Sequence, residues 1–123
     1  MSQKYANQTV PKLPTETTET IWSLKRRLLS VIDSATAAEF VLFDRFGETS
    51  ETIIAMDELK SVAEQAGDRF SQLSNLQRRI AEAQPTVPTD MMELVNEVIA
   101  RTLGNVPALE RSVQEIKIEW SLP

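Results

Sequence analysis

Between Leu59 and Ala83, apolar residues recur every seven positions in two interleaved series, and this pattern constrains the fold more than any other. Arg69 is the one charged member, and its neighbour Phe70 can fill that layer. A seven-residue repeat on an α-helix forms a narrow apolar seam that packs against another helix, inside one bundle or between chains. The two series are Leu59, Ala66, Leu73, Ile80 and Val62, Arg69, Leu76, Ala83.

Apolar residues at helical spacing predict two long helices, over about 17–46 and 50–84, joined by a short turn at 47–49. A turn this short forces the two helices into an antiparallel hairpin. The second helix would be about 50 Å long at 1.5 Å per residue, whereas a globule of this chain length is only ~35 Å across. We therefore expect an elongated bundle, or a helix tip that projects toward a partner.

The ends of these long helices carry local signals. Thr15 or Thr17 can cap the first helix and Gly47 can end it, while Thr49 or Ser50 can cap the second. These residue types suit the positions because a threonine or serine oxygen accepts a free backbone N–H and glycine tolerates a left-handed conformation.

Two positions could interrupt the long helices. A break near Asp33 and Ser34 would turn residues 36–39 into a capping box, and Gly67 with Asp68 could end one helix and begin another. The apolar phase is the same on both sides of each position, and a loop would have no reason to preserve it. The pattern therefore favours two unbroken helices.

A shorter pair of helices is predicted after the proline-containing linker at 85–88. Thr89 would cap a helix over 89–103 that Gly104 ends. Pro107 suits the first position of a last helix over 107–115, because proline is tolerated where the N–H has no partner. With the hairpin, this predicts an all-α, antiparallel helical bundle of four or five helices.

The two ends of the chain are less regular. Residues 1–14 are polar and without periodicity, which predicts a flexible N-terminal tail before a single helical domain over 15–123. Residues 116–122 are open between two states, because Ile116 and Trp120 have helical spacing whereas every second residue from 116 to 122 is apolar, as in a strand.

Composition narrows the chemistry. The chain has no cysteine and no histidine, which removes disulfides, thiolate ligands, the commonest general base and the commonest transition-metal ligand. No apolar run is long enough to span a membrane and the first residues have no signal-peptide core, so we expect a cytoplasmic protein. The net charge of −5 argues against nucleic-acid binding.

Two clusters of charged residues are candidate binding sites, one for a metal ion and one for phosphate groups. Asp90, Glu93 and Glu97 share one helical face and could hold a hard divalent cation, although acidic residues are also favoured at a helix N-terminus. Basic residues flank the apolar seams and could contact phosphates, or could simply cover those seams with their stems. The four arginines in question are Arg26, Arg27, Arg78 and Arg79.

These observations predict a non-enzymatic interaction or assembly protein that acts through helix–helix packing, as a homodimer, using the 59–83 seam or the helix tips. No cofactor, metal or small-molecule ligand is predicted. The alternatives are a small helical subunit of a nucleoprotein complex, with a local basic patch, and a carboxylate metal enzyme. The residues predicted to bind the partner are Leu59, Val62, Arg69, Phe70, Leu73, Leu76, Ile80 and Trp120.

Overall fold

The computed structural model describes residues 13–123, which form three α-helices and no strand. The helices are α1 (Thr15–Phe46), α2 (Ser50–Glu82) and α3 (Thr89–Glu119). Each is 31 to 33 residues long, which makes rods of about 46–50 Å. Every pair of helices is in contact, and α1 with α2 most extensively. The predicted all-α class is confirmed, whereas the predicted count of four or five helices is wrong.

The core is built on steps of three and four residues in all three helices, with one step of seven in α2 from Ala66 to Leu73, so the repeat seen at 59–83 extends through the whole bundle. This spacing is typical of helices that supercoil around one another. The buried side chains on this spacing are Ile21, Leu24, Leu28, Val31, Ala35, Ala38 and Leu42 in α1; Thr52, Ala55, Leu59, Val62, Ala66, Leu73, Leu76 and Ile80 in α2; and Val95, Ile99, Thr102, Val106, Leu109, Val113 and Ile116 in α3.

The three helices alternate in direction. The short turn after Phe46 makes α1 and α2 antiparallel. Helix α3 is antiparallel to α2 and therefore parallel to α1. Arg27 of α1 hydrogen-bonds Glu110 of α3, and further along both helices the Phe46 and Trp120 rings lie 5.2 Å apart. Since both contacts advance together, α1 and α3 are parallel.

The turn between α1 and α2 follows the predicted signals. Gly47 ends α1 with φ 67° and ψ −162°, a combination almost restricted to glycine. Thr49 caps α2: its side chain accepts the Thr52 N–H at 3.1 Å, and the Thr52 hydroxyl accepts the Thr49 N–H at 2.7 Å. The other predicted caps, at Thr15 or Thr17 and at Thr89, are wrong.

Prolines precede the helices whose threonine caps were mispredicted. Pro14 and Pro88 occupy the capping positions of α1 and α3 and, having no side-chain oxygen, make no side-chain cap hydrogen bond. Their carbonyls instead accept the first helical bonds, from Thr18 N and from Met91 and Met92 N. Proline fixes its own φ, and with the capping position on the proline, Thr15 and Thr89 become the first helical residues and not the caps.

The separate helices predicted over 89–103 and 107–115 are wrong, because α3 runs unbroken through Gly104 and Pro107. Both residues are exposed, and nothing approaches the Gly104 backbone where a Cβ would sit. On the other face, Thr102, Val106 and Leu109 remain buried in the repeat. Burial of this continuous face outweighs the cost of the two residues, about 1 kcal/mol for glycine and about 3 for proline.

The last predicted ambiguity, over 116–122, is resolved as helix up to Glu119. Ile116 is buried whereas Ile118 is exposed, so these two isoleucines do not share a face as they would on a strand. Ser121 then adopts φ 54° and ends the helix. Of the predicted tail over 1–14, residues 1–12 lie outside the described residues, and Leu13 is buried against the core.

Candidate interaction surface

The predicted partner-binding seam on α2 is occupied by the chain's own helices. Its apolar members are at most 4% exposed within one copy. They therefore pack against α1 and α3, and a second chain could contact them only if the bundle opened. These members are Leu59, Val62, Leu73, Leu76 and Ile80.

Arg69, the charged residue of the seam, and its neighbour Phe70 lie at different boundaries between the helices. Arg69 is partly buried and donates to Gln72 Oε1 at 3.2 Å, beside a cavity of about 800 Å³ between α2 and α3. Phe70 lies on the opposite flank, toward α1, with its ring 5.1 Å from Lys25 Nζ. The two neighbours therefore serve different interhelical boundaries.

Trp120 lies far from the other predicted contact residues. It follows the last residue of α3, is partly buried, and packs against the core with Leu122. Its ring meets Phe46 in a tilted arrangement. Trp120 therefore covers the hairpin end of the bundle.

The outer boundaries between the helices differ in polarity. The boundary between α2 and α3 is lined by polar side chains such as Gln65, Gln72 and Asn105. The boundary between α1 and α3 has Ser30, Ser34 and Glu110. Along the boundary between α1 and α2 lie the exposed aromatic side chains Trp22, Phe40 and Phe43, whereas the large apolar side chains that α3 exposes are aliphatic: Leu94, Leu103 and Ile118.

We call this boundary the α1/α2 groove. Trp22, Leu29 and Phe43 on its α1 side are 50%, 51% and 55% exposed, which is high for side chains of this size. Monomeric proteins rarely expose large apolar patches, and patches rimmed by polar residues mark interaction sites. The groove consists of Trp22, Leu29, Ile32 and Phe43 from α1 with Ile53, Met56, Ala63 and Phe70 from α2.

The shape of the groove allows a packing partner to approach closely. At its hairpin end it opens into a cavity of about 480 Å³, lined by the apolar side chains of Phe40, Phe43, Ile53 and Met56 and by the charged side chains of Glu39, Glu48, Asp57 and Lys60. In the middle of the groove the α2 side is formed by small residues, Ala63 and the neighbouring Gly67. Small residues allow two helix backbones to approach closely.

Lys25 is an unusual charged residue on this surface, because only 8% of it is exposed. Its ammonium lies 4.3 Å from the centroid of the Trp22 ring and donates to Gln77 Oε1 at 2.8 Å. The two aromatic rings on either side, Trp22 and Phe70, stabilise the cation through their faces. Within residues 13–123 it makes no ion pair.

Glu39 is the acidic counterpart of Lys25 at the other end of the groove. It lines the cavity next to Phe40 and Phe43, where Lys60 of the same chain is also present but forms no ion pair with it in the described structure. Its Oε2 atom is buried and has no hydrogen-bond partner among the residues that the structure describes. A carboxylate oxygen shielded from water without a donor is costly, so this atom would gain from a cation supplied at the groove.

The four arginines of the alternative phosphate-binding patch differ in their hydrogen-bond partners and exposure. Arg27 donates through Nε to Glu110 Oε2 at 3.1 Å, and this hydrogen bond raises the pKa of Arg27 against the opposing effect of desolvation. Arg78 donates to Asn75 Oδ1 at 2.9 Å. Arg26 and Arg79 are exposed. One of the four positive charges is therefore already matched by a carboxylate.

Asp90, Glu93 and Glu97, the candidate cation ligands, do not form a metal site in the described part of the chain. No group of three or more acidic residues there is arranged to hold a metal ion. Glu97 instead pairs with Arg101, one turn further along α3, and Asp90 Oδ1 accepts the Met91 N–H at 3.0 Å. The helices of residues 13–123 also include none long and apolar enough to cross a membrane.

Comparison of the chain with protein-family models, curated proteins and solved structures found no match. The groove had a signal in the sequence: Trp22, Leu29 and Phe43 lie at multiples of seven from one another. They are displaced by one residue from the buried series that includes Ile21 and Leu28.

Proposed function

We propose that this protein is a non-enzymatic assembly protein that forms a homodimer through the α1/α2 groove. The observation that carries the proposal is the half-exposed row of Trp22, Leu29 and Phe43 along the boundary between α1 and α2. This replaces the 59–83 seam with the adjacent flank of the same hairpin as the contact surface. The mechanism remains burial of apolar helix faces, acting in the cytoplasm.

The size of the groove supports a stable contact. From Trp22 to Phe43 it runs about 32 Å along α1, and two packed helices present a face about 20 Å wide. Two copies would bury about 600 Å² each, near the lower limit for specific interfaces. We therefore expect a dissociation constant in the micromolar range.

A second copy fits the groove better than a single helix of another protein. The groove is two helices wide, so two copies placed face to face form a four-helix layer. Within residues 13–123 it also carries a cation near one end, Lys25, and a carboxylate toward the other, Glu39, neither of which forms an ion pair there. A surface with opposite charges at its two ends is complementary to its own copy when that copy is reversed.

The test is the solution mass of the full chain by light scattering, over protein concentrations from about 1 to 300 µM. The wild type should pass from 13.8 kDa to twice that mass. Phe43→Asp should weaken the dimer at least about tenfold, because it places a charge in the apolar contact. The matched control is Ile118→Asp, on α3, where the side chain is 69% exposed; this variant should dimerise like the wild type.

A wild type that stays at 13.8 kDa up to the highest concentration would contradict the proposal. So would equal weakening of the dimer by Phe43→Asp and Ile118→Asp, since association would then not depend on the groove. Thermal unfolding followed by circular dichroism checks that both variants keep the fold.

A further inference from the structure

We infer that the two copies are held in one register, with their α1 helices antiparallel about a twofold axis at Ile32 and with Lys25 of each copy paired to Glu39 of the other. This inference rests on the proposed homodimer and adds its geometry. It is carried by the juxtaposition on one helix face of a cation and a carboxylate that lack ionic partners in the described chain.

The spacing along α1 sets the register. Lys25, Ile32 and Glu39 are seven residues apart, so they lie on one line along the helix. Lys25 and Glu39 are separated by about 21 Å and cannot meet within one copy. When a second α1 is reversed about Ile32, however, each Lys25 comes level with a Glu39 of the other copy.

The same register also matches the apolar side chains. Trp22 lies ten residues before Ile32, and Phe43 lies eleven residues after it. Reversal about Ile32 therefore places the Trp22 ring of one copy beside the Phe43 ring of the other. Leu29, three residues before Ile32, comes within one residue of Thr36 near the centre, and the small Ala63 and Gly67 of α2 leave room for this approach.

Both charged groups gain in this arrangement. The Lys25 ammonium has three donors and uses one of them on Gln77, while Glu39 Oε2 has no donor within the described residues. Lys25 is only 8% exposed and Glu39 Oε2 is buried, so each side chain turns outward to form the pair, and the pair supplies the missing ionic partner to both. Two such ion pairs would also oppose parallel or shifted pairings, in which like charges or empty positions meet.

The test uses two single variants, Lys25→Glu and Glu39→Lys, alone and mixed. Alone, each variant should form a homodimer about tenfold weaker than the wild type, because both intermolecular pairs become like-charged. Mixed in equal amounts, the two variants restore both pairs across the interface and should form a heterodimer close to wild-type affinity. Isotope labelling of one variant identifies the heterodimer by native mass spectrometry, and Arg111→Glu mixed with Glu115→Lys, both on exposed positions of α3, is the control.

A second measurement covers the case in which a variant at the buried Lys25 fails to fold. The chain has no cysteine, so Ile32→Cys introduces a single thiol on the proposed axis. A short bis-maleimide, reaching the 8–10 Å that separates packed helices, should link two copies of this variant efficiently. Ile118→Cys should give only background linkage.

The outcomes separate the two proposals. If the wild type dimerises and Phe43→Asp disrupts the dimer, but mixing shows no preference and Ile32→Cys gives no linkage, the register is wrong and the groove dimer stands. If the wild type remains monomeric, both are overturned. Heterodimer preference together with linkage at position 32 supports the register.

Discussion

At the residue scale, the turn between the first two helices depends on a buried hydroxyl. Thr52 is fully buried, and its Oγ1 donates to Gly47 O at 2.8 Å while accepting the Thr49 N–H. A single side chain thus satisfies backbone groups on both sides of the turn. The hydroxyl links the end of α1 to the start of α2, and so holds the hairpin that forms the groove.

Thr52→Val should therefore lower the free energy of unfolding by about 1–3 kcal/mol, because it keeps the volume but leaves a buried backbone N–H and a carbonyl without this partner. Thr52→Ser keeps the hydroxyl and is the matched control, with a smaller loss. Urea unfolding of the two variants measures the difference. Equal stability of the valine variant and the wild type would show that these hydrogen bonds contribute nothing.

Replacement of Gly47 and of Gly104 by alanine should change the stability of the protein in opposite directions. Gly47→Ala should destabilise the protein by about 1–3 kcal/mol, since position 47 has a backbone conformation that other residues rarely adopt. Gly104→Ala should stabilise it by up to about 1 kcal/mol, because the position is helical and open around the missing Cβ. Chemical denaturation of both variants tests this; a Gly104→Ala variant less stable than the wild type would contradict an unbroken α3.

At the element scale, α3 shows how a continuous buried face overrides local signals. Pro107 lies in its interior, where the ring removes one helical hydrogen bond and crowds the preceding turn. The helix nevertheless continues, because Val106 and Leu109 on the buried face keep the phase of the repeat. Long-range packing against α1 and α2 therefore decides the structure of this segment.

Pro107→Ala follows as a prediction about this element. It should raise the free energy of unfolding, by up to about 3 kcal/mol, because it restores a helical N–H and relieves the clash with the turn before it. The midpoint of thermal unfolding by circular dichroism would rise accordingly. If residue 107 were instead the first of a separate helix, where proline is favoured, the same substitution would leave stability unchanged or lower it.

The elements that sequence reasoning could predict are those with a dense periodic signal. The seam at 59–83, the continuity of α2 through Gly67 and the turn at Gly47 and Thr49 all follow from residues close together in sequence. Gly104 and Pro107 misled because their cost is local, whereas the packing that offsets it comes from distant helices. The groove was missed for a related reason: which flank of α1 stays open depends on where α3 packs.

At the scale of the whole molecule, three helices of similar length share one core and leave Trp22, Leu29 and Phe43 half-exposed along the α1/α2 groove. This row of large apolar side chains is the contact face that we propose. If that face is covered by a second copy, Trp22 becomes buried on association, whereas Trp120 at the end of the bundle keeps its contact with Phe46. The two tryptophans therefore report on different surfaces.

The emission of Trp22 alone, in a Trp120→Phe variant diluted through the expected dissociation range, is the most direct measurement of the central claim. The account predicts blue-shifted emission at high concentration and a red shift on dilution. The midpoint of the red shift should fall at the same protein concentration as the midpoint of the fall in mass from dimer to monomer. The converse variant, Trp22→Phe, should report little change from Trp120. Emission of Trp22 that stays constant while the mass halves would contradict the account, because association would then use a surface other than the α1/α2 groove.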